Sequence, residues 1–225
     1  RCVQIEIGSN ATPGATGVSQ ITNPTSANTY AISIIAGADS GTITQNIITN
    51  DTVVVSATVQ QSLTFTISTT TIYFGNLSSG SAKFASSTNT SGDTTETIAH
   101  TLAVATNAST GYTLTIRGQT LTSQQNASNT ISFIGATVAS STAGTEQFGI
   151  RATVAGGTGA TIDTTYAAAT SYGYDATATT SAVFATGSGA TNTSTYSLRY
   201  VANIASLTEA GTYVASIVYV ATANY

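Results

Sequence analysis

The sequence is short of charge: only 6% of its 225 residues are Asp, Glu, Lys or Arg, against roughly 25% in an average soluble domain. Five basic residues and a formal net charge of -4 are too few to build the positive surface that binds nucleic acid. No apolar run approaches the length of about 18 residues that a membrane-spanning helix needs. The sequence therefore predicts no nucleic-acid partner and no helical membrane span.

Side chains that carry chemistry are equally scarce, with one Cys, one His and no Met or Trp. Cys2 has no second cysteine for an internal disulfide. The nine acidic residues are scattered, and none has the spacing of a metal-ligand cluster. His100 lies among apolar strand residues and is predicted to be packed, while Lys83 is predicted to be solvated. The sequence therefore predicts no enzyme, no cofactor and no metal site.

Threonine is what the chain has in excess, since 47 of its residues are Thr. Threonine, like Ile and Val, is branched at Cβ, which makes it stiff and suits it to a pleated sheet. Short apolar runs alternate with Gly, Asn and Asp turns. We expect an all-β protein, an antiparallel β-sandwich of Ig-like or pilin-like type with an N-terminal extension strand. Thr52–Ile67 is expected to be a central strand, because a continuous apolar run is typical of strands covered on both faces.

The N-terminal residues form a separate pattern. Val3, Ile5 and Ile7 alternate with polar residues, so they share one face of a predicted strand. Residues 9–20 contain Pro13 and glycines, which indicate a linker. We therefore expect a strand and linker over 1–20 and a sandwich domain over 21–225. Three alternatives stay open for this segment: it inserts into a neighbouring copy, it pairs within its own domain, or it is a disordered end. The apolar C-terminal segment, Thr212–Tyr225, is an alternative donor.

The C-terminal segment carries the clearest motif. Glu209, Gly211 and Tyr213 have the acidic-x-Gly-x-Tyr spacing of a tyrosine corner, and apolar residues alternate after them. This ending, with Ile72-Tyr-Phe-Gly75, resembles secreted bacterial surface sandwiches: spore-coat-U-like pilins of the archaic chaperone–usher type, and some WxL-type surface domains. The resemblance implies a structural subunit of an extracellular filament. Such a subunit polymerises head to tail by donor-strand insertion, here of Val3, Ile5 and Ile7.

Low charge and many Asn-x-Ser/Thr sequons favour an extracellular, cell-surface location, because glycans would supply the solubility that missing charges do not. An alternative function is a non-filamentous surface module, either an S-layer subunit or an adhesin that binds glycans. Tyr166, Tyr172 and Tyr174 would then contact sugar, or they fasten a long loop to the sandwich. The candidate glycosylation sites are Asn10, Asn50, Asn76, Asn89, Asn107, Asn126 and Asn192.

Overall fold

The computed structural model describes residues 22–49 and 52–225. The chain divides into two compact units, residues 1–58 and residues 59–225. The proposed donor residues Val3, Ile5 and Ile7 lie outside the described residues, and the predicted division after residue 20 stays a prediction. Within the described ranges, the regular elements are all strands and none is a helix. The prediction of an all-β protein is confirmed.

The first unit contains a β-hairpin of β1 (Asn28–Ala36) and β2 (Asp39–Ile47). A two-residue turn joins these strands, and Gly37 occupies its first position with φ of 69°. A positive φ at that position suits a type II′ turn, which matches the twist of paired strands. Ile32 pairs directly with Ile43, so the hairpin has one apolar face.

The second unit holds the remaining thirteen strands, which are short and separated by turns. They are β3 (Leu63–Ile67), β4 (Lys83–Phe84), β5 (His100–Thr106), β6 (Tyr112–Gly118), β7 (Thr122–Ser123), β8 (Gly135–Ala139), β9 (Gln147–Ala155), β10 (Thr161–Ile162), β11 (Tyr172–Tyr174), β12 (Ala182–Gly187), β13 (Thr191–Asn203), β14 (Tyr213–Val214) and β15 (Ile217–Ala223).

These strands form two principal sheets in which every pairing is antiparallel. One sheet has four strands in the order β10-β12-β6-β15. The other has seven: β3-β5-β13-β9-β11-β8 run in order, and β4 pairs with β13 beside this path. Strands β7 and β14 form a separate ribbon. This architecture is consistent with a β-sandwich, and we refer to residues 59–225 as the sandwich.

The core lies between the two principal sheets, because alternate residues of their strands point inward. In β5, His100, Leu102, Val104 and Thr106 are buried and the residues between them are half-buried. Burial of each large apolar side chain contributes roughly 1.5–3 kcal/mol before entropy costs. The largest fully buried side chains are Tyr112, Tyr166, Tyr174, Tyr196, Tyr200, Phe148, Phe184, Leu102, Leu114, Ile116, Ile131 and Ile150.

Tyrosine hydroxyls link the two sheets across this core. A buried hydroxyl needs a hydrogen-bond partner, and here the partner is repeatedly supplied by the opposite sheet. The cross-sheet bonds join Tyr112 Oη to Tyr196 Oη at 2.7 Å, Tyr174 Oη to the Gly118 carbonyl at 2.8 Å, and Tyr200 Oη to Tyr219 Oη at 2.6 Å.

The prediction of a central strand over Thr52–Ile67 is wrong. Only Leu63–Ile67 is a strand, and β3 stands at the end of its sheet. Val53, Val54 and Val55 are 85–87% exposed. An apolar run indicates that a segment favours a strand packed on both faces. It does not show that other residues of the same chain pack against those faces.

His100 is packed, as the sequence predicts: it is 7% exposed and its Nε2 lies 2.6 Å from the Tyr200 hydroxyl. Burial lowers the pKa of His100 from 6.5 to about 4. Below pH 6.5 the unfolded chain therefore protonates His100, whereas the folded chain protonates this ring only near pH 4. The stabilising effect of the neutral ring is complete above pH 6.5 and is lost as the pH falls towards 4.

We expect the unfolding free energy to fall by about 3 kcal/mol between pH 7.5 and pH 4 because of this one group. Urea unfolding of the wild type and of His100→Gln at both pH values measures the effect. The variant keeps a polar group beside Tyr200, but its glutamine side chain does not titrate. Its unfolding free energy should therefore fall by about 3 kcal/mol less than that of the wild type. Equal losses in the two proteins would show that His100 does not cause the pH dependence.

Candidate assembly surface

One side of the sandwich is open, because β3 and β15 each end a sheet there. Cα atoms of these two strands approach within 8 Å, yet the strands do not pair. Natural proteins protect such edges with charged residues or proline. Residues 52–82 and 212–225 contain neither. Among the described residues, this side therefore presents unpaired backbone without the usual protection against another strand.

An apolar groove of about 840 Å³ lies between residues 71–77 and 208–217, where β15 begins. Leu121, Phe148 and Tyr200 contribute core side chains to its lining. Six half-buried residues of the two walls also pack against the core: Ile72, Phe74, Leu77, Tyr213, Ala215 and Ile217.

The first wall depends on a close approach of two glycines to neighbouring backbone. Gly75 and Gly92 both have φ of 64°. A Cβ on Gly75 would lie 2.1 Å from the Ser91 carbonyl oxygen, and one on Gly92 would lie 2.1 Å from the Phe74 carbonyl oxygen. Because only glycine avoids both the clash and the strain, these two positions hold residues 71–77 against the 89–92 turn.

The second wall is built by the Glu209, Gly211 and Tyr213 motif. The Tyr213 hydroxyl donates to the Glu209 carbonyl at 2.8 Å, which is the bond that a tyrosine corner makes. Gln125 Oε1 accepts from the Thr212 amide at 3.2 Å, and Asn129 donates to the Glu209 carboxylate. These bonds fix the turn that leads into β15.

The groove carries almost no charge, since Glu209 is the one Asp, Glu, Lys, Arg or His side chain in its lining. Burial raises the pKa of Tyr200 well above its ordinary value, so this phenol is neutral at physiological pH. Its hydroxyl already has two partners, His100 and Tyr219. The groove therefore suits an extended, uncharged apolar segment rather than an ion or a charged ligand.

The main charged cluster lies elsewhere, on β9 and β13. Arg151 and Arg199 both pair with Glu96, and Tyr172 donates to the same carboxylate. Burial opposes ionisation of Glu96, but the bonds from Arg151 and Tyr172 prevail and lower the pKa of this carboxyl. The charges compensate one another. Across residues 22–49 and 52–225, no three His, Cys, Asp or Glu side chains are grouped to hold a metal ion.

The three tyrosines of the adhesin alternative are not placed to contact sugar. Tyr166, Tyr172 and Tyr174 are at most 4% exposed, so their rings lie in the core. The Tyr166 hydroxyl bonds Asp175 at 2.9 Å. The expectation that they form a sugar-binding surface is wrong, and these side chains fasten 163–176 to the sandwich.

The sequons differ in the freedom of their side-chain amides. Asn10 and Asn50 lie outside the described residues, and the other five are exposed. The Nδ2 atoms of Asn89, Asn107 and Asn126 donate hydrogen bonds, so attachment of a glycan would break those bonds. Asn76 and Asn192 make no side-chain hydrogen bond to another described residue, which makes them the more accessible acceptors.

Comparison with known proteins gives no relative: no protein-family model matches the chain, and no similar curated protein was found. Among the described residues, no helix is long and apolar enough to cross a membrane. The residues and geometry of the sandwich must therefore carry any functional inference.

Tyr213→Phe tests the wall of the groove. Loss of the hydroxyl removes the bond to the Glu209 carbonyl, so the unfolding free energy of the monomer should fall by about 0.5–1.5 kcal/mol. Tyr73→Phe is the matched control, because the Tyr73 hydroxyl bonds to no other described residue. Chemical unfolding measures both variants. A Tyr213→Phe variant as stable as the control would contradict a stabilising tyrosine corner.

Proposed function

We propose that the protein is the structural subunit of an extracellular filament, in which a strand from one copy completes the open side of the next. The observation that carries this proposal is the apolar groove between residues 71–77 and 208–217, together with the unprotected sheet edges at β3 and β15. In this proposal the sandwich is pilin-like because it is incomplete and accepts one further strand from a neighbouring copy.

An added strand would pair with a free sheet edge and would fill the apolar groove. An added strand gains main-chain hydrogen bonds along the edge, and its alternate side chains occupy apolar pockets. A donor on one surface and an acceptor on another form a head-to-tail contact. Such a contact does not close on itself and produces a filament.

The donor in this proposal is the N-terminal strand, with Val3, Ile5 and Ile7 inserted and residues 9–20 as the tether. Burial of each of these side chains contributes roughly 1.5–3 kcal/mol before entropy costs. The C-terminal alternative is less favoured, because Ile217–Ala223 already pairs with β6 over its whole length. Withdrawing this strand would remove Tyr219 from the core.

The composition supports an extracellular polymer over an adhesin. Few charges fit a subunit whose surface contacts copies of itself, since charge is depleted in the cores of interfaces. Exposed Asn192 is available for a glycan, whereas Asn76 lines the groove, so a glycan on Asn76 would obstruct the added strand. The tyrosines considered for sugar binding are buried, so they do not present the exposed rings that such a site needs.

Ile5→Asp is expected to abolish filaments and leave a folded monomer, because a carboxylate cannot enter an apolar groove without a large desolvation cost. Gln4→Asp is the matched control: it adds the same charge on the opposite face of the strand and should leave filaments intact. Negative-stain microscopy and sedimentation of both variants measure the outcome, and circular dichroism checks that each is folded.

A protein lacking residues 1–20 should behave like Ile5→Asp. Filaments that persist after both changes would move the donor role to another segment. Wild-type protein that forms no filaments under any native condition would favour the S-layer alternative.

A further inference from the structure

The segment Val53–Val59 exposes several apolar side chains to solvent, which is unusual in a folded chain. Val53, Val54, Val55 and Val59 are 84–87% exposed, and the structure assigns no strand to residues 52–62. Val53, Val55, Ala57 and Val59 alternate with the other residues, so an extended chain here has one wholly apolar face. Segments with high β-propensity, no charge and no proline are prone to pair with other strands when exposed.

The residues that follow this segment are hydrogen-bonded to the end of β5. Asn107 Nδ2 donates to the Gln60 carbonyl at 2.7 Å, and Asn107 Oδ1 accepts from the Ser62 amide at 2.8 Å. The Thr106 hydroxyl also donates to the Ser62 carbonyl at 2.8 Å. These bonds hold residues 60–62 at the end of β5.

A simple linker is a poor description of the segment. Flexible linkers are rich in Gly and Ser, and stiff ones are rich in Pro. Residues 53–59 contain four valines and neither Gly nor Pro. The composition is that of a strand, and the described residues provide no strand partner for it.

The edge of β15 has the properties of such a partner. Ile217–Ala223 and Val53–Val59 are each seven residues long, and neither carries a charge or a proline. Val218 and Val220 point outward from β15 and are 40% and 46% exposed. Cross-strand pairs of β-branched side chains stabilise antiparallel strands, and the outward side chains of an added strand would lie beside these valines.

We propose that Val53–Val59 of one copy adds as a strand to the free edge of β15 in a second copy. This proposal deepens the proposed function: it names a second strand contact, beside the groove that receives the N-terminal strand. It extends the four-stranded sheet by one strand from the neighbour. The apolar face of the segment then packs towards the sandwich, while Val54 and Ser56 lie on the outer surface.

Crosslinking tests the contact directly and does not depend on filament formation. In a Cys2→Ser background, Ser56→Cys is combined with Val218→Cys or with Val220→Cys, since all three side chains would share the outer surface. Two paired strands bring Cα atoms within the limit of about 7 Å for a disulfide. Ser56→Cys with Thr161→Cys is the control, because β10 is the opposite edge of the same sheet.

We expect covalent dimers and longer ladders on a non-reducing gel from at least one β15 pair and none from the β10 control. In parallel, Val55→Asp should raise the protein concentration needed for association at least tenfold, whereas Ser56→Asp, on the outer face, should change it less than threefold. Both positions are exposed in the single chain, so both variants should fold; thermal unfolding checks this.

Absence of the β15 crosslinks, together with unchanged association of Val55→Asp, overturns this contact. Loss of filaments in Ile5→Asp alongside that result would leave the proposed function standing. Crosslinks at β15 in a protein that never forms filaments would support the contact and refute the filament.

Discussion

Backbone amides and carbonyls at the edge of a sheet must find hydrogen-bond partners, and this requirement shapes the whole molecule. The two principal sheets end beside each other at β3 and β15, where neither strand pairs further among the described residues. Charged side chains and prolines, which usually keep such edges apart, are missing from both. The edge strand β15 is also tied to the opposite sheet by the Tyr200–Tyr219 hydrogen bond. An uncharged edge without proline is a template for another strand.

The composition follows from the same requirement. A subunit that contacts its own copies on several surfaces has little use for charge, which costs free energy to bury. Threonine provides a compromise, since its methyl group packs in a sheet while its hydroxyl remains compatible with water. Three of the few charges present compensate one another, because Glu96 pairs with Arg151 and Arg199. Tyrosine has a similar double role in the core, where its ring fills space and its hydroxyl joins the two sheets.

Local features of the fold were predictable from the sequence. The excess of β-branched residues predicted an all-β chain, and the apolar strand neighbours of His100 predicted that this residue is packed, because both signals are local. The position of Val53–Val55 was not predictable. Their composition indicates a covered strand, but the identity of the cover depends on contacts far away in the sequence or in another chain. The groove was hidden for the same reason, since its lining comes from five separate segments between Thr71 and Ile217.

The central claim is that a neighbouring chain completes the open side of the sandwich. Electron cryomicroscopy of native assemblies, at a resolution that separates strands, tests it most directly. The account predicts a filament in which a strand of one subunit lies in the groove between residues 71–77 and 208–217 of the next. A filament whose subunits leave that groove filled only with solvent, and touch through other surfaces, would contradict it.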